Sequence, residues 1–235
     1  ISQGLSAILS FIYIKKKFTI LKPSKEEMKY DKSLSKVLLR VGLPGAFQYS
    51  ITAISCILVQ ASLNNFGSDS VAAYSVANKI ENMVTQFYPA LGIGISTFAG
   101  QNLGAGELKR VRKGFRVSVY MNIAYSILAF FICQFFASPM TKLFVDSNTS
   151  SPLVIEESIL YVTTMSIFFI PLGFIFIFRT GCQGLGSGKI PMLSAIIELI
   201  ARATTAFSLP YFFGFLGICL SNAVSWIGAG FILPF

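Results

Sequence analysis

Residues 99–116 read AGQNLGAGELKRVRKGFR, a glycine-rich turn that runs straight into Lys109, Arg110, Arg112, Lys113 and Arg116. Such a stretch suits a phosphate-binding loop, a nucleic-acid patch or a turn at a membrane face. Its flanks decide between them. Residues 71–98 are apolar except for Lys79 and Glu81, and residues 117–137 carry no charge. Each run reaches the roughly 20 residues that cross a bilayer core. The stretch therefore reads as a short loop between two membrane spans.

The same pattern fills the chain. Residues 43–65 and 158–178 are uncharged, 190–209 hold only Glu198 and Arg202, and 215–235 are uncharged again. Of 235 residues, 54% are hydrophobic and 12% charged, against about 25% charged in a soluble domain. Mean hydropathy is +0.68. The partner this composition demands is the lipid bilayer. The expected fold is an all-α integral membrane protein, a six-helix transmembrane bundle over 43–235. Ahead of it, residues 1–14 are apolar and then meet Lys15, Lys16 and Lys17. That order is the reverse of a signal peptide's and predicts the tail of a transmembrane helix, in a chain expected to be part of a longer protein. Residues 15–42 form a basic linker. Leu34, Val37, Leu38 and Val41 predict a short amphipathic helix at the membrane surface within it.

Alternation of spans sorts the charges. With 15–42, 99–116 and 179–189 on one side, that side holds sixteen of the nineteen Lys and Arg residues, Arg179 and Lys189 included, and the other side holds Lys142. The cation-rich loops are expected in the cytoplasm, with the protein in the plasma (inner) membrane.

Other chemistries are set aside. The net charge of +9 sits in two blocks with no polar fold behind them, so no nucleic-acid partner is expected. There is no His, which removes the commonest base and metal ligand. Cys56, Cys133, Cys182 and Cys219 are far apart. No metal site, no cofactor and no enzyme activity are expected. GLGSGKI at 184–190 lacks the first Gly and the final Ser or Thr of a phosphate loop, because Gln183 and Ile190 stand there. The Gly100/Gly104 and Gly184/Gly188 pairs fall outside the apolar runs and read as turn elements, not as packing faces.

A charge at bilayer depth costs at least about 2.5–3.5 kcal/mol, so it faces protein or water. Glu81 sits about 15 Å in from Val71 at 1.5 Å per residue. Helical spacing puts it on one face with Tyr74, Asn78 and Thr85 and turns Lys79 away. This stripe reads either as a cavity lining with Glu81 as a proton or cation site, or as a structural face with Glu81 paired to Arg202 or another helix. Glu198 and Arg202 are spaced i, i+4 with the acid first and read as a structural pair. Pro89, Gly92 and Gly94 predict a bend in the inner half of 71–98. Pro171 and Gly173 predict a break in 158–178.

Four motifs together carry a resemblance: VGLPGAFQYS at 41–50, FGSDSVAAYSVANKIE at 66–81, GQNLGAGELKRVRKG at 100–114 and TGCQGLGSGKIPM at 180–192. They resemble the C-terminal half of the multidrug and toxic compound extrusion (MATE) family, from the end of its sixth helix through the twelfth. The resemblance implies one lobe of a two-bundle transporter and a missing N-terminal bundle as partner. It implies small cationic or amphipathic substrates, exported in exchange for H+ or Na+. A sodium-coupled branch has carboxylates in the seventh and tenth helices. Here 43–65 and 158–178 have none, and Gln48 is the nearest polar group, a further candidate for the cavity. The alternative within the wider superfamily is a flippase for lipid-linked oligosaccharides, whose cavity is expected to be strongly cationic.

Overall fold

The computed structural model describes residues 2–18, 29–145 and 151–232. Residue 1, residues 19–28 of the basic linker, residues 146–150 with Asp146, and residues 233–235 lie outside the described residues. The chain divides into two units, 1–39 and 40–235.

In the first unit α1, Ser2–Lys17, ends on the three lysines and buries none of its residues. The next helix, α2, runs Lys32–Leu63. Asp31 starts it, its Oδ1 accepting the Ser33 and Leu34 amides at 2.7 and 3.2 Å, as an N-cap carboxylate does. The amphipathic segment at 34–41 and the span from 43 are thus one continuous helix, not a surface helix followed by a span. Pro44 sits inside it: one missing amide does not end a helix of this length.

The second unit holds the core. A single 3-10 turn, Asn64–Phe66, leads through Gly67 into α3, Ser68–Thr85, and α4, Phe87–Gly104. Then come α5, Leu108–Lys142, α6, Pro152–Ser166, α7, Phe169–Gly184, α8, Lys189–Phe213, and α9, Phe215–Ile232. Among the described residues three helices, α2, α5 and α8, are each long and apolar enough to cross a bilayer, and α6 with α7 makes a fourth if that bent pair is one span. The six apolar runs correspond to α2, α3–α4, α5, α6–α7, α8 and α9. Tyr88, Tyr161, Met165, Phe169 and Ile218 are fully buried at the centre of the core. Along it α8 packs on α9, α4 on α7, and α3 on α6.

Both breaks fall four residues before a proline. Pro89 cannot donate to the Thr85 carbonyl and its ring crowds it, so α3 stops at Thr85. The interruption is at Gln86 rather than among Pro89, Gly92 and Gly94. Pro171 does the same to Ile167, and α6 and α7 meet there at 58°. Side chains of the long, uninterrupted α5 reach carbonyls beside both breaks. The Tyr125 hydroxyl donates to the Val84 carbonyl at 2.6 Å. Gln134 Nε2 donates to the Thr163 carbonyl at 2.9 Å, which the tightened turn at Ile167 and Phe168 bypasses. Asn122 Nδ2 reaches the Ile170 carbonyl at 3.2 Å. A third proline, Pro210, leaves α8 unbroken. The Ala206 carbonyl four residues earlier takes the Ser62 hydroxyl of α2 at 2.6 Å. In a lipid environment such partners are obligatory, because no water replaces them.

Two sequence expectations are corrected. Gly100 and Gly184 lie within α4 and α7, and there the helix backbones touch. A Cβ at Gly100 would stand 3.0 Å from the Gly184 carbonyl oxygen, and one at Gly184 would strike the Ser96 carbonyl. These glycines form a close-packing face, because small residues let backbones approach. Arg179 is also not in a loop. It is a buried residue of α7, which extends to Gly184. Removing it leaves fifteen cations on the loop side, with the asymmetry intact.

Candidate functional site: a charged cavity between helices

A cavity of about 250 Å³ is lined from α2, α3, α6, α7, α8 and α9. Tyr74, Asn78, Glu81 and Thr85 of α3 all face it, one per turn. Glu198 and Arg202 of α8 face it as well. Gln48 does not join them. It is buried, with its Oε1 accepting the Gln183 amide of α7 at 2.9 Å. Lys79 is exposed on the other side of α3.

The cavity has two polar groups of different character. In the first, the Tyr161 hydroxyl of α6 donates to Glu81 Oε2 at 2.7 Å. Asn222 of α9 donates to the Tyr161 oxygen at 3.2 Å and to the Tyr74 oxygen at 3.3 Å. The rings of Tyr74 and Tyr161 meet edge to face with centroids 5.2 Å apart. Within α3, Asn78 and Thr85 each bond a carbonyl four residues back, those of Tyr74 and Glu81. Asn78 and Thr85 therefore shape the wall, while Tyr161 holds the carboxylate and Asn222 holds the two tyrosine hydroxyls.

The second group is ionic. Glu198 Oε1 takes Arg202 Nη2 at 2.7 Å, and Oε2 takes Arg179 Nη2 at 2.8 Å. Ser55 accepts a further bond from Arg202 at 2.8 Å, and Ser194 one from Arg179 at 3.1 Å. The Nε atoms of both arginines are buried without a partner. One carboxylate thus serves two guanidiniums, and the triad carries a net positive charge. Glu81 is not part of it: the ion pairs among the described residues are those of Glu198. Of the partners the structural reading of the stripe offered, Arg202 is not bonded to Glu81, whereas another helix, α6, supplies the Tyr161 hydroxyl.

Sequence reasoning missed Arg179, Tyr161 and Asn222. Arg179 stood at the end of an apolar run and was assigned to a loop. A helix prolonged by one turn and a carboxylate at 198 in need of charge were the available signals. Tyr161 and Asn222 lie among other polar residues of α6 and α9, and only tertiary packing singles them out for the Glu81 site. Among the described residues, no three His, Cys, Asp or Glu side chains come together as metal ligands.

Known proteins share both the sequence pattern and the fold. The chain is 29% identical over 169 residues to the probable multidrug resistance protein YoeA of Bacillus subtilis, a match covering 71% of this chain and 36% of that protein. It is 27% identical over 162 residues to a protein of Shewanella oneidensis named as an FAD transporter, covering 69% and 34%. The bent form of the Vibrio cholerae MATE transporter VcmN superposes with a TM-score of 0.82 at 19% identity, over 96% of this chain and 50% of that one. The chain thus spans about a third to a half of the length of these proteins. The MatE family model matches residues 44–208, from α2 through both broken spans and into α8; the chain belongs to the MatE family.

Proposed function

We propose that the chain is the C-terminal half of a secondary active efflux antiporter, working with an N-terminal bundle and exporting cationic or amphipathic compounds in exchange for H+ or Na+. One observation carries this reading. Glu81 is a cavity-lining carboxylate at membrane depth, held by the Tyr161 hydroxyl and outside the arginine triad. Such a carboxylate has its charge free for a proton, a metal cation or a cationic substrate, whereas Glu198 is committed to two guanidiniums. Three of the helices that end or start at a break, α3, α6 and α7, contribute to the wall of the same cavity, and broken helices recur around transport sites in membranes.

A second reading rests on the triad. Its net positive charge and the unpartnered Nε atoms of Arg179 and Arg202 suit an anionic cargo, whether a flavin dinucleotide of the kind named for the Shewanella relative or the pyrophosphate of a lipid-linked sugar. The two readings separate in one experiment. Glu81→Gln keeps the shape and leaves an oxygen to accept from Tyr161. In the transporter with both halves present, cation-gradient-driven efflux of a cationic dye should fall at least tenfold, with membrane abundance unchanged. Undiminished dye efflux, with FAD transport lost in Arg179→Gln, would establish the second reading instead.

A further inference from the structure

A larger hollow, about 410 Å³, lies away from the charged cavity, between α4 and the first turns of α5. Gly94, Ile95 and Phe98 line one wall, and Arg110, Lys113 and Val117 the other. The groove depends on Gly114, where a Cβ would strike the Phe98 ring. Arg110, Lys113 and Val117 are exposed, one above another at i, i+3 and i+7. Among the described residues no carboxylate lines the groove and neither cation is in an ion pair.

We infer that this groove is a site for one anionic phospholipid, its phosphate on Arg110 and Lys113 and the start of an acyl chain along Phe98, Ile95 and Val117. The inference rests on the membrane reading of the fold and not on the transport reading. Its support is the order of chemistry along α5. Two free cations sit in the first turns, and the wall turns apolar at Val117, where the charge-free run to 137 begins. That is the boundary between headgroups and hydrocarbon, and basic pockets between helices at that level take anionic headgroups. A free phosphate offers the same head chemistry but would leave the apolar wall without an occupant.

The test is lipid binding by native mass spectrometry of the detergent-purified protein, titrated with phosphatidylglycerol, phosphatidylcholine and inorganic phosphate. One phosphatidylglycerol should bind with preference over phosphatidylcholine. Arg110→Gln with Lys113→Gln should weaken it about thirtyfold. Arg112→Gln with Arg116→Gln, on the same helix but outside the groove, should change it less than about threefold. Gly94→Leu fills a position with open space around it and should displace the lipid without altering charge. Equal losses in the two charge variants would reduce the effect to diffuse attraction and overturn the site. Phosphatidylglycerol binding that inorganic phosphate abolishes, or that Gly94→Leu leaves intact, would assign the cations to free phosphate and overturn it too. If Gly94→Leu fails to fold, the two charge variants and the phosphate competition carry the test.

Discussion

Replacing Glu198 by Gln should destabilise the bundle more than removing either arginine it holds. At an effective dielectric of 20, unit charges 4 Å apart attract by about 4 kcal/mol, and Glu198 makes two such contacts, at 2.7 and 2.8 Å between atoms. Much of that attraction offsets desolvation, so the net cost of stranding a buried partner is about 3–5 kcal/mol. The new side-chain amide would also turn an N–H toward one guanidinium and leave both cations uncompensated. By the scaling of domains of this size, Tm should drop about 6–20 °C. Arg179→Gln, in contrast, loses one charge-assisted bond, about 1.5–3 kcal/mol, and leaves a neutral Glu198–Arg202 pair. Unfolding in detergent can be followed by maleimide labelling of Cys133 and Cys219, both fully buried. A drop below about 3 °C for Glu198→Gln, or an Arg179→Gln variant less stable than it, would refute the charge accounting.

Two further outcomes follow from the helices. Cysteines introduced at Lys109 and Leu143, the two ends of α5, are about 51 Å apart along the helix and should label from opposite sides of the membrane, the first from the cytoplasm; same-side labelling would overturn the topology. Ser62→Ala removes the donor on the Ala206 carbonyl and should cost about 1–3 kcal/mol. The same change in a Pro210→Ala background, where the amide at 210 can bond that carbonyl, should cost less than half as much; equal costs in a denaturation cycle would show the hydroxyl is not answering the proline.

The stripe Tyr74, Asn78, Glu81, Thr85 was legible in the sequence because one helix sets it by period alone, and the i, i+4 spacing of Glu198 and Arg202 was legible for the same reason. Arg179 was not, since its membership of the triad depends on where α7 ends and on how α7 lies against α8. Prolines were half-legible. Pro89 and Pro171 break their helices four residues upstream, whereas Pro44, Pro139 and Pro210 sit inside continuous ones. At Pro210 the carbonyl left over is taken by a hydroxyl 144 residues away in the chain, which no local pattern records. The glycines at 100 and 184 were misread because hydropathy marks where the lipid ends, and both helices continue past that point.

The bracing role of α5 bears on how the protein is made. Its side chains brace carbonyls beside one break that precedes it and one that follows. When α3 and α4 leave the ribosome, the Val84 carbonyl has no Tyr125 to meet it, because that residue is still to be translated. When α6 and α7 emerge, Gln134 and Asn122 are already in place. Since chains fold from the N-terminus as they are synthesised, the first broken span must wait for its support, in the insertion machinery or against water, while the second inserts onto a finished template.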